Sequence, residues 1–368
     1  MKRFIECIIP VTTCNLKCSY CYVEQQNRFS QKKQLQFKYS PQHIGEALSV
    51  KRLGGVSFVS LTGSGETLIP KEVPQIVLNI LKQGHFVNLT TNGTLISRFE
   101  EIITLKNEYL ERLHFSFSLH YCELKRTNKL ETFFKNINMV KNAGCSYLVQ
   151  VNMSDEYLPV WDEIKEKVIA NTGALPQVAL TRDESGLPNN YKILTQKPEE
   201  EYVSKSREAD SPLFEFTLKN FMKKRKEFCY AGEWSAKLNI ATGKLSGCYG
   251  FGIVQNIFDD LSKPIKFEAI GCNCPFLYCF NSSHFMSLGV IPSLWSQSYG
   301  QLRNRVEAKW HTPKMEEFLN QRLFDDNQQY TWFRKQYCTM KYRLLWLILK
   351  VRSECKRWFK LIVRLKRK

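Results

Sequence analysis

The chain has 368 residues, of which 43% are hydrophobic and 24% are charged, and this is enough apolar material for one large domain with a smaller one beside it. Its thirteen cysteines follow no secretory signal, so the sequence predicts a reducing, cytoplasmic location and excludes a disulfide-rich secreted protein. No apolar run approaches the ~20 residues of a membrane-spanning helix. Residues 341–368 contain eleven Lys or Arg and one Glu, and they therefore carry +10 of the net charge of +18. Because the basicity is concentrated there, no specific nucleic acid is expected as a partner.

From Phe4 onward, segments with strand composition alternate with segments that have helix start and stop signals. Strand–helix units in series predict a parallel sheet with right-handed crossovers. The fold class is therefore α/β, and residues 1–185 are expected to form a partial (β/α)6 barrel of the TIM type. The predicted strands lie at 4–11, 56–63, 86–93, 114–120, 146–153 and 175–182. The predicted helices lie between them, at 40–55, 70–85, 94–113, 129–144 and 158–173.

The rest of the chain divides by composition into four further segments. Residues 186–227 are polar and are expected to connect two domains, with one helix among them. Residues 228–290 contain a second group of cysteines and are expected to form a small cysteine-rich domain. Residues 291–340 are predicted to be a helical C-terminal region, and residues 341–368 a basic amphipathic terminal helix.

Cys14, Cys18 and Cys21 lie within eight residues, which is too tight a spacing for a disulfide framework. Clustered thiols of this kind bind zinc or an iron–sulfur cluster. Such sites usually have four protein ligands when they are structural, whereas three ligands leave a metal position open for substrate. The spacing alone leaves two alternatives: a metal centre with an open position, or a structural zinc with a distant fourth ligand.

Other distinctive polar motifs also follow predicted strands. The segment "GSGET" follows the second strand and "TNG" follows the third. Ser118 and His120 end the fourth strand, and Asn152 ends the fifth. Chemistry in parallel barrels is located at the C-terminal ends of the strands. We therefore expect these motifs and the three cysteines to line a single site.

Taken in order, C-x3-C-x2-C, "SGET", "TNG" and "VQVN" resemble the motifs of the radical S-adenosylmethionine (SAM) superfamily, and the resemblance covers residues 4–180. In that family three thiolates bind three irons of a [4Fe–4S] cluster, and SAM chelates the fourth iron. The resemblance implies an enzyme that reductively cleaves SAM and uses the 5′-deoxyadenosyl radical to abstract hydrogen from a substrate. It also implies an electron donor of the flavodoxin or ferredoxin type.

The resemblance further implies which residues contact SAM. Tyr20 stands where an aromatic residue approaches the adenine, and the second-strand motif stands where the SAM amino group is received. Two departures are Thr67, where the family usually has proline, and Ser118, which often has an acidic counterpart. The residues implied to bind SAM are Tyr20, Gly63, Ser64, Gly65, Glu66, Asn92, Ser116, Ser118 and Asn152.

The second group of cysteines resembles the auxiliary-cluster extensions, of SPASM or twitch type, that follow many radical SAM barrels. Cys229 and Cys248 flank a predicted hairpin with an "ATGK" turn. We expect a second [4Fe–4S] cluster on these two residues together with Cys274 and Cys279. Cys272 is then spare or replaces Cys274, and the alternative is a structural zinc on the same cysteines.

The substrate is less constrained by the sequence. The stretch from "CPFLYCF" to "YGQLRNRV" resembles an uncharacterised radical SAM branch associated with bacterial surface-polysaccharide genes, which favours a sugar or glycan-precursor substrate. A small molecule of another kind or a peptide is the competing substrate, although with thirteen residues before Cys14 no N-terminal leader-recognition domain is expected. The rival hypothesis is a non-catalytic metal-binding module that binds nucleic acid.

The terminal segment has apolar residues at helical spacing, with cations on the other face. This pattern predicts a helix lying in the plane of an anionic membrane surface, so the protein is expected on the inner face of the membrane. The alternatives are a solvated charged helix and an RNA-binding tail. The apolar positions are residues 344, 348, 351, 358, 362 and 365.

Overall fold

Six parallel strands form the centre of the fold, which the computed structural model describes over residues 2–29, 35–186, 191–249, 252–279 and 281–365, without the side chains of residues 282, 353 and 356–365. Each of these strands pairs with the next one along the chain. Most of their residues are buried on both faces, as is usual in parallel sheets. The predicted α/β partial barrel is therefore confirmed. The strands are β1 (Phe4–Ile9), β2 (Phe58–Gly63), β3 (Phe86–Thr91), β4 (Leu113–Ser118), β5 (Ser146–Asn152) and β6 (Gln177–Ala179).

Helices cross over between these strands, and two of the predicted long helices are in fact broken. Ser49 and Lys106 have an extended backbone, with ψ of 149° and 146°, so each divides a predicted helix into two. A 3₁₀ turn at Asp155–Val160 precedes the last of these helices and contains Pro159. The helices are α1 (Tyr22–Gln25), α2 (Pro41–Ala47), α3 (Val50–Leu53), α4 (Val73–Lys82), α5 (Ile96–Ile103), α6 (Asn107–Leu110), α7 (Tyr121–Arg126), α8 (Leu130–Asn142) and α9 (Trp161–Thr172).

The segment after the barrel contains more regular structure than the sequence predicted. A short antiparallel ribbon is formed by β7 (Arg182–Asp183) and β8 (Lys192–Ile193). Two helices follow instead of one, α10 (Glu199–Arg207) and α11 (Pro212–Asn220). The break between them is explained by Ser211, whose hydroxyl caps α11 by accepting a hydrogen bond from the backbone of Phe214.

The cysteine-rich segment extends the barrel sheet. Strand β9 (Ser235–Asn239) pairs in parallel with the free edge of β1, and β10 (Lys244–Ser246) returns antiparallel to it through the predicted hairpin. Strand β11 (Val254–Asn256) pairs with β10 at the edge of the sheet. The free backbone groups of β1 are thereby paired, which removes an exposed edge.

Aromatic side chains fill the end of the barrel where the strands begin. Phe4, Phe58 and Phe86 are adjacent in the register of β1, β2 and β3. Phe86 stacks on Phe318 with ring centroids 3.7 Å apart. Phe318 belongs to helix α12 (Pro313–Asn320), so the C-terminal region packs directly on the barrel. This region contains a π-helical turn (Ser282–Met286), a 3₁₀ turn (Val306–Ala308), α12 (Pro313–Asn320) and α13 (Leu323–Asp326).

The last helix, α14 (Trp332–Leu365), is a single helix of 34 residues that crosses the predicted boundary at residue 341. Its first turns pack on the body, because Cys338 and Tyr342 are buried. Farther along the helix, Trp346 and Leu347 line a groove beside Cys272, so α14 stays in contact with the body beyond Tyr342 and the boundary predicted at residue 341 falls inside a continuous helix. In the described part of the chain, no helix is both long and apolar enough to cross a membrane.

Candidate cofactor-binding and active site

A cavity of about 410 Å³ opens at the C-terminal ends of the barrel strands. The three clustered cysteines and the motifs that follow β2, β3, β4 and β5 all contribute to its wall. The structure therefore brings these predicted residues together at one cavity. The predicted residues that line the cavity are Cys14, Cys18, Tyr20, Cys21, Gly63, Ser64, Gly65, Glu66, Asn92, Ser118 and Asn152.

The loop that carries the three cysteines is held to the barrel through its backbone. The backbone N–H of Lys17 donates to Glu123 Oε1 at 2.7 Å, and the ammonium of Lys129 donates to the carbonyl of Asn15 at 3.3 Å. Within the loop, the N–H of Cys21 donates to the carbonyl of Cys18 at 3.1 Å. The three thiols are thereby presented to the same cavity from a fixed loop.

Burial alters the chemistry of these thiols. It raises the pKa of Cys14 to about 11, and the nearby Glu66 carboxylate adds to this effect. It also raises the pKa of Cys18, with the neighbouring Cys14 and Cys21 thiols contributing. Protonated thiols must lose their protons when they bind metal, so we expect metal loading at this site to release protons.

The loop after β2 lies directly against the cysteine loop. The N–H of Gly65 donates to the carbonyl of Val11 at 2.6 Å, and the N–H of Glu66 donates to the carbonyl of Thr13 at 3.0 Å. A Cβ at position 65 would lie only 2.1 Å from the Thr13 carbonyl oxygen. Glycine is therefore required here by space, and it allows the two loops to approach each other closely.

Glu66 is buried and held by three hydrogen bonds. Its Oε1 accepts from Thr91 Oγ1 at 2.7 Å and from the N–H of Leu68 at 3.0 Å, and its Oε2 accepts from the N–H of Asn92 at 2.8 Å. Burial raises the pKa of this carboxyl, and the three donors oppose that rise. A carboxylate so oriented at the wall of a cavity can receive a cationic group, because charge-assisted hydrogen bonds are the stronger ones.

Asn92 connects this carboxylate with the first cysteine. Its side-chain amide donates to Asn15 Oδ1 at 2.8 Å and to the Cys14 sulfur at 3.6 Å. Its Oδ1 accepts from Thr94 Oγ1 at 2.7 Å. The turn after β3 therefore positions both the glutamate and a thiol, and the "TNG" motif is more than an ordinary turn.

The side chain of Tyr20 is buried, and its hydroxyl is held by two neighbouring side chains. Its hydroxyl hydrogen-bonds to His120 Nδ1 and to the hydroxyl of Tyr157, each at 2.7 Å. Burial lowers the pKa of His120 to about 4, so this imidazole is neutral at neutral pH. His120 lines the cavity beside Tyr20, whereas the side chain of Cys122 donates to the carbonyl of Glu156 at 3.6 Å.

Ser116 is the one predicted SAM contact that lies outside the lining of the cavity. Its hydroxyl donates to Asn88 Oδ1 at 2.8 Å, and Asn88 in turn donates to Ser60 Oγ at 2.8 Å. Ser116 lies two residues before Ser118, on the same side of β4 but deeper in the barrel. Ser116 therefore does not line the cavity, whereas Ser118 does.

The lining residues that were not predicted include Arg182, Glu184, Tyr278, Asn281 and His284. Arg182 pairs with Glu184 at 2.6 Å, and its guanidinium lies 5.5 Å from the ring of Tyr278. His284 Nδ1 is 2.7 Å from Asn281 Oδ1. Arg182 could have been found by the strand-end rule, because it follows β6. Tyr278, Asn281 and His284 belong to the segment after the hairpin, which reaches the cavity only through long-range packing.

Four cysteines of the second group line a separate small cavity of about 30 Å³. They are Cys229, Cys248, Cys274 and Cys279, the set favoured from the sequence. Cys272 instead lines only a groove against α14, which Cys274 also borders, and its backbone N–H donates to Thr339 Oγ1 at 3.1 Å. Burial raises the thiol pKa of Cys229 and Cys279, and the other thiols of the set contribute.

Both groups of thiols supply the donor atoms that an iron–sulfur cluster uses. In the described residues, no three His, Cys, Asp or Glu side chains are grouped in a way that could hold one metal ion. In an iron–sulfur cube each cysteine binds a different iron, so its thiols need not converge on one point. The donor set is three thiols beside an open cavity in one case and four thiols around a small cavity in the other.

Comparison with known proteins agrees with this arrangement. Residues 8–158 match the family model described as the Radical SAM superfamily. A probable GTP 3′,8-cyclase of Pyrobaculum aerophilum is 37% identical over 87 residues, which are 23% of this chain and 26% of that protein.

Two solved structures are similar at low identity. SuiB of Streptococcus suis bound to S-adenosylmethionine is 17% identical, with a TM-score of 0.47 over 70% of this chain and 64% of that chain. Native anSMEcpe with bound AdoMet and the Cp18Cys peptide is 13% identical, with a TM-score of 0.45 over 95% of this chain and 99% of that chain. The match spans less than two thirds of the cyclase and of SuiB. On the family match, residues 8–158 form a domain of the radical SAM superfamily, whose members use a [4Fe–4S] cluster and SAM.

Proposed function

We propose that this protein is a radical SAM enzyme, in which Cys14, Cys18 and Cys21 hold a [4Fe–4S] cluster with one open iron. When bound, that cluster supplies the electron that cleaves SAM to methionine and a 5′-deoxyadenosyl radical, which takes a hydrogen atom from the substrate. The observation that carries the proposal is the meeting of three thiols and the Gly65–Glu66 loop in one cavity. A non-catalytic metal-binding module would have no use for a buried carboxylate beside its thiols.

The protein residues have separate tasks in this proposal. Glu66 receives the ammonium group of SAM, and its three hydrogen bonds fix its orientation before SAM arrives. Asn92 donates to the Cys14 sulfur and so holds that thiol beside the glutamate. Tyr20, fixed by His120 and Tyr157, forms the apolar wall on which the adenine rests.

We infer that the second group of cysteines holds an auxiliary [4Fe–4S] cluster. Four thiols around a small cavity support a cluster whose protein ligands are complete. Tyr278 and Asn281 line both this cavity and the larger one, so the auxiliary site adjoins the space for substrate. Its proximity supports a role in electron transfer during turnover, with a flavodoxin- or ferredoxin-type protein as the external donor.

The cavity wall supports a polar substrate. Gln150, Asn152, Arg182 and Glu184 present both donors and acceptors to the cavity, as recognition of a hydroxyl-rich molecule requires. We therefore propose a sugar or glycan precursor as the substrate class. A peptide is the alternative, and the two are separated by whether nucleotide sugars or peptides accelerate the formation of 5′-deoxyadenosine.

The test is reductive cleavage of SAM by protein reconstituted anaerobically with iron and sulfide. Reduced with dithionite, the wild type should release 5′-deoxyadenosine and methionine in equal amounts. Cys18→Ala should release neither. The matched control is Cys145→Ala, because Cys145 is also buried but lines neither cavity, and this variant should cleave SAM like the wild type. Iron-replete wild type that never cleaves SAM would contradict the proposal.

A further inference from the structure

Helix α14 presents an apolar stripe to solvent that begins earlier in the chain than the sequence predicted. The predicted apolar positions 358, 362 and 365 lie outside the residues whose side chains the structure describes. The stripe begins at Phe333, which is 78% exposed, and includes Leu344, which is 60% exposed. Its members are spaced by three and four residues, so they share one face of the helix. Over its length of about 27 Å at 1.5 Å per residue, the stripe consists of Phe333, Tyr337, Met340, Leu344, Leu347 and Val351.

The opposite face of the first turns is attached to the body. Cys338, Thr339 and Tyr342 are buried, and Lys341 Nζ bonds to Glu268 Oε1 at 2.5 Å. Because the helix is anchored on this side, most of the stripe points away from the protein, and only Leu347 also lines the groove beside Cys272. Ile348 is exposed beside the stripe, whereas Leu345 and Leu349 lie toward the side of the helix that carries Cys338 and Tyr342.

Cations border this apolar face. Arg343 and Lys350 lie on the same flank, and the sequence continues the series at Arg357 and Arg364, one every seven residues. Arg352 lies on the other flank. An apolar stripe bordered by Lys and Arg is the pattern of a helix that lies in the interface of an anionic membrane.

We propose that α14 binds an anionic lipid surface in the membrane plane through this stripe. A second copy of this chain is the other occupant that its spacing of three and four could fit. In a paired helix, however, Arg343 and Lys350 would lie beside equivalent cations of the partner, whereas lipid phosphates neutralise them. The proposal is independent of the chemistry at the barrel cavity.

The test is cosedimentation of the full-length protein with vesicles. Binding to phosphatidylglycerol vesicles should exceed binding to phosphatidylcholine vesicles, and it should weaken with added salt because exposed charges are screened over roughly 8–10 Å. Leu344→Glu/Val351→Glu should reduce vesicle binding by about tenfold or more, since two apolar side chains no longer enter the interface. Ile169→Glu/Val306→Glu is the matched control, because these residues are exposed elsewhere on the protein, and it should bind like the wild type.

Two outcomes would overturn the proposal. One is equal binding to phosphatidylglycerol by the wild type and the Leu344→Glu/Val351→Glu variant. The other is a lipid-independent dimer in sedimentation velocity that this variant dissociates, which would show that the stripe binds a second copy. Both variants should retain the wild-type circular dichroism spectrum, because the substituted side chains are exposed.

Discussion

Gly65→Ala tests whether the contact between the cysteine loop and the loop after β2 creates the SAM site. The new Cβ would lie 2.1 Å from the Thr13 carbonyl oxygen and 2.9 Å from the Thr12 carbonyl carbon, both backbone atoms. Neither can rotate away like the end of a flexible side chain. The two loops must therefore separate by about 0.9 Å to restore the 3.0 Å that real Cβ atoms keep.

The cost of this separation can be bounded. Forcing an extra carbon into a packed region typically costs about 1–3 kcal/mol. The separation also stretches the two hydrogen bonds that Gly65 and Glu66 donate to the cysteine loop, each worth about 0.5–1.5 kcal/mol. Because each ~1.4 kcal/mol is a factor of ten in affinity, we expect SAM to bind at least about tenfold more weakly. A shift near 1 Å can also reduce turnover by about a hundredfold.

The assay is equilibrium dialysis with labelled SAM, accompanied by iron analysis so that loss of the cluster is not counted as loss of affinity. Gly186→Ala is the matched control, because among the described residues no atom lies within 4 Å of its added Cβ, and it should bind SAM like the wild type. If the Gly65→Ala variant bound and cleaved SAM as well as the wild type does, the view that this loop contact forms the site would be refuted.

Four further predictions concern individual side chains. Glu66→Gln should bind SAM about 10- to 100-fold more weakly in the same dialysis assay while keeping its iron, because an amide lacks the charge that pairs with an ammonium; retained affinity would exclude Glu66 as that partner. Ser116→Ala should change SAM affinity by no more than about twofold, ~0.5 kcal/mol, since its hydroxyl bonds to Asn88. Cys274→Ala should lose about four irons by colorimetric analysis and Cys272→Ala none, and the reverse result would exchange their roles. Burial raises the pKa of Glu6 from 4.5 to about 7. In the window between these two pH values, the carboxyl of Glu6 is protonated in the folded protein and ionised in the unfolded chain. The contribution of Glu6 to the free energy of unfolding should fall as pH rises through the window, and Glu6→Gln should remove that slope in urea melts at pH 5 and 7.5.

Strand ends were the part of the site that the sequence predicted well. The cysteine loop and the motifs after β2 to β5 are each short, local signals, and a parallel sheet brings the ends of its strands to one edge. The rule does not say how far along a strand a side chain must lie to reach the cavity, as Ser116 and Ser118 illustrate. Two residues on the same face of a strand differ by one layer, and only the outer one reaches the cavity.

Long-range contacts were the part that the sequence could not predict. Tyr278, Asn281 and His284 reach the cavity because the segment after the hairpin folds back over the barrel. The pairing of β9 with β1 joins residues more than 200 positions apart, and no local pattern in either strand specifies its partner. The start of α14 at Trp332 was missed because its charge pattern begins later, whereas its apolar stripe begins at Phe333.

The central claim is that Cys14, Cys18 and Cys21 hold a cluster that binds SAM. The most direct test measures iron and SAM bound per chain after anaerobic reconstitution. The wild type should hold about eight irons and one SAM, and the variant with all three cysteines changed to alanine should hold about four irons and no SAM. Zinc in place of iron in the wild type, or undiminished SAM binding by the triple variant, would contradict the claim.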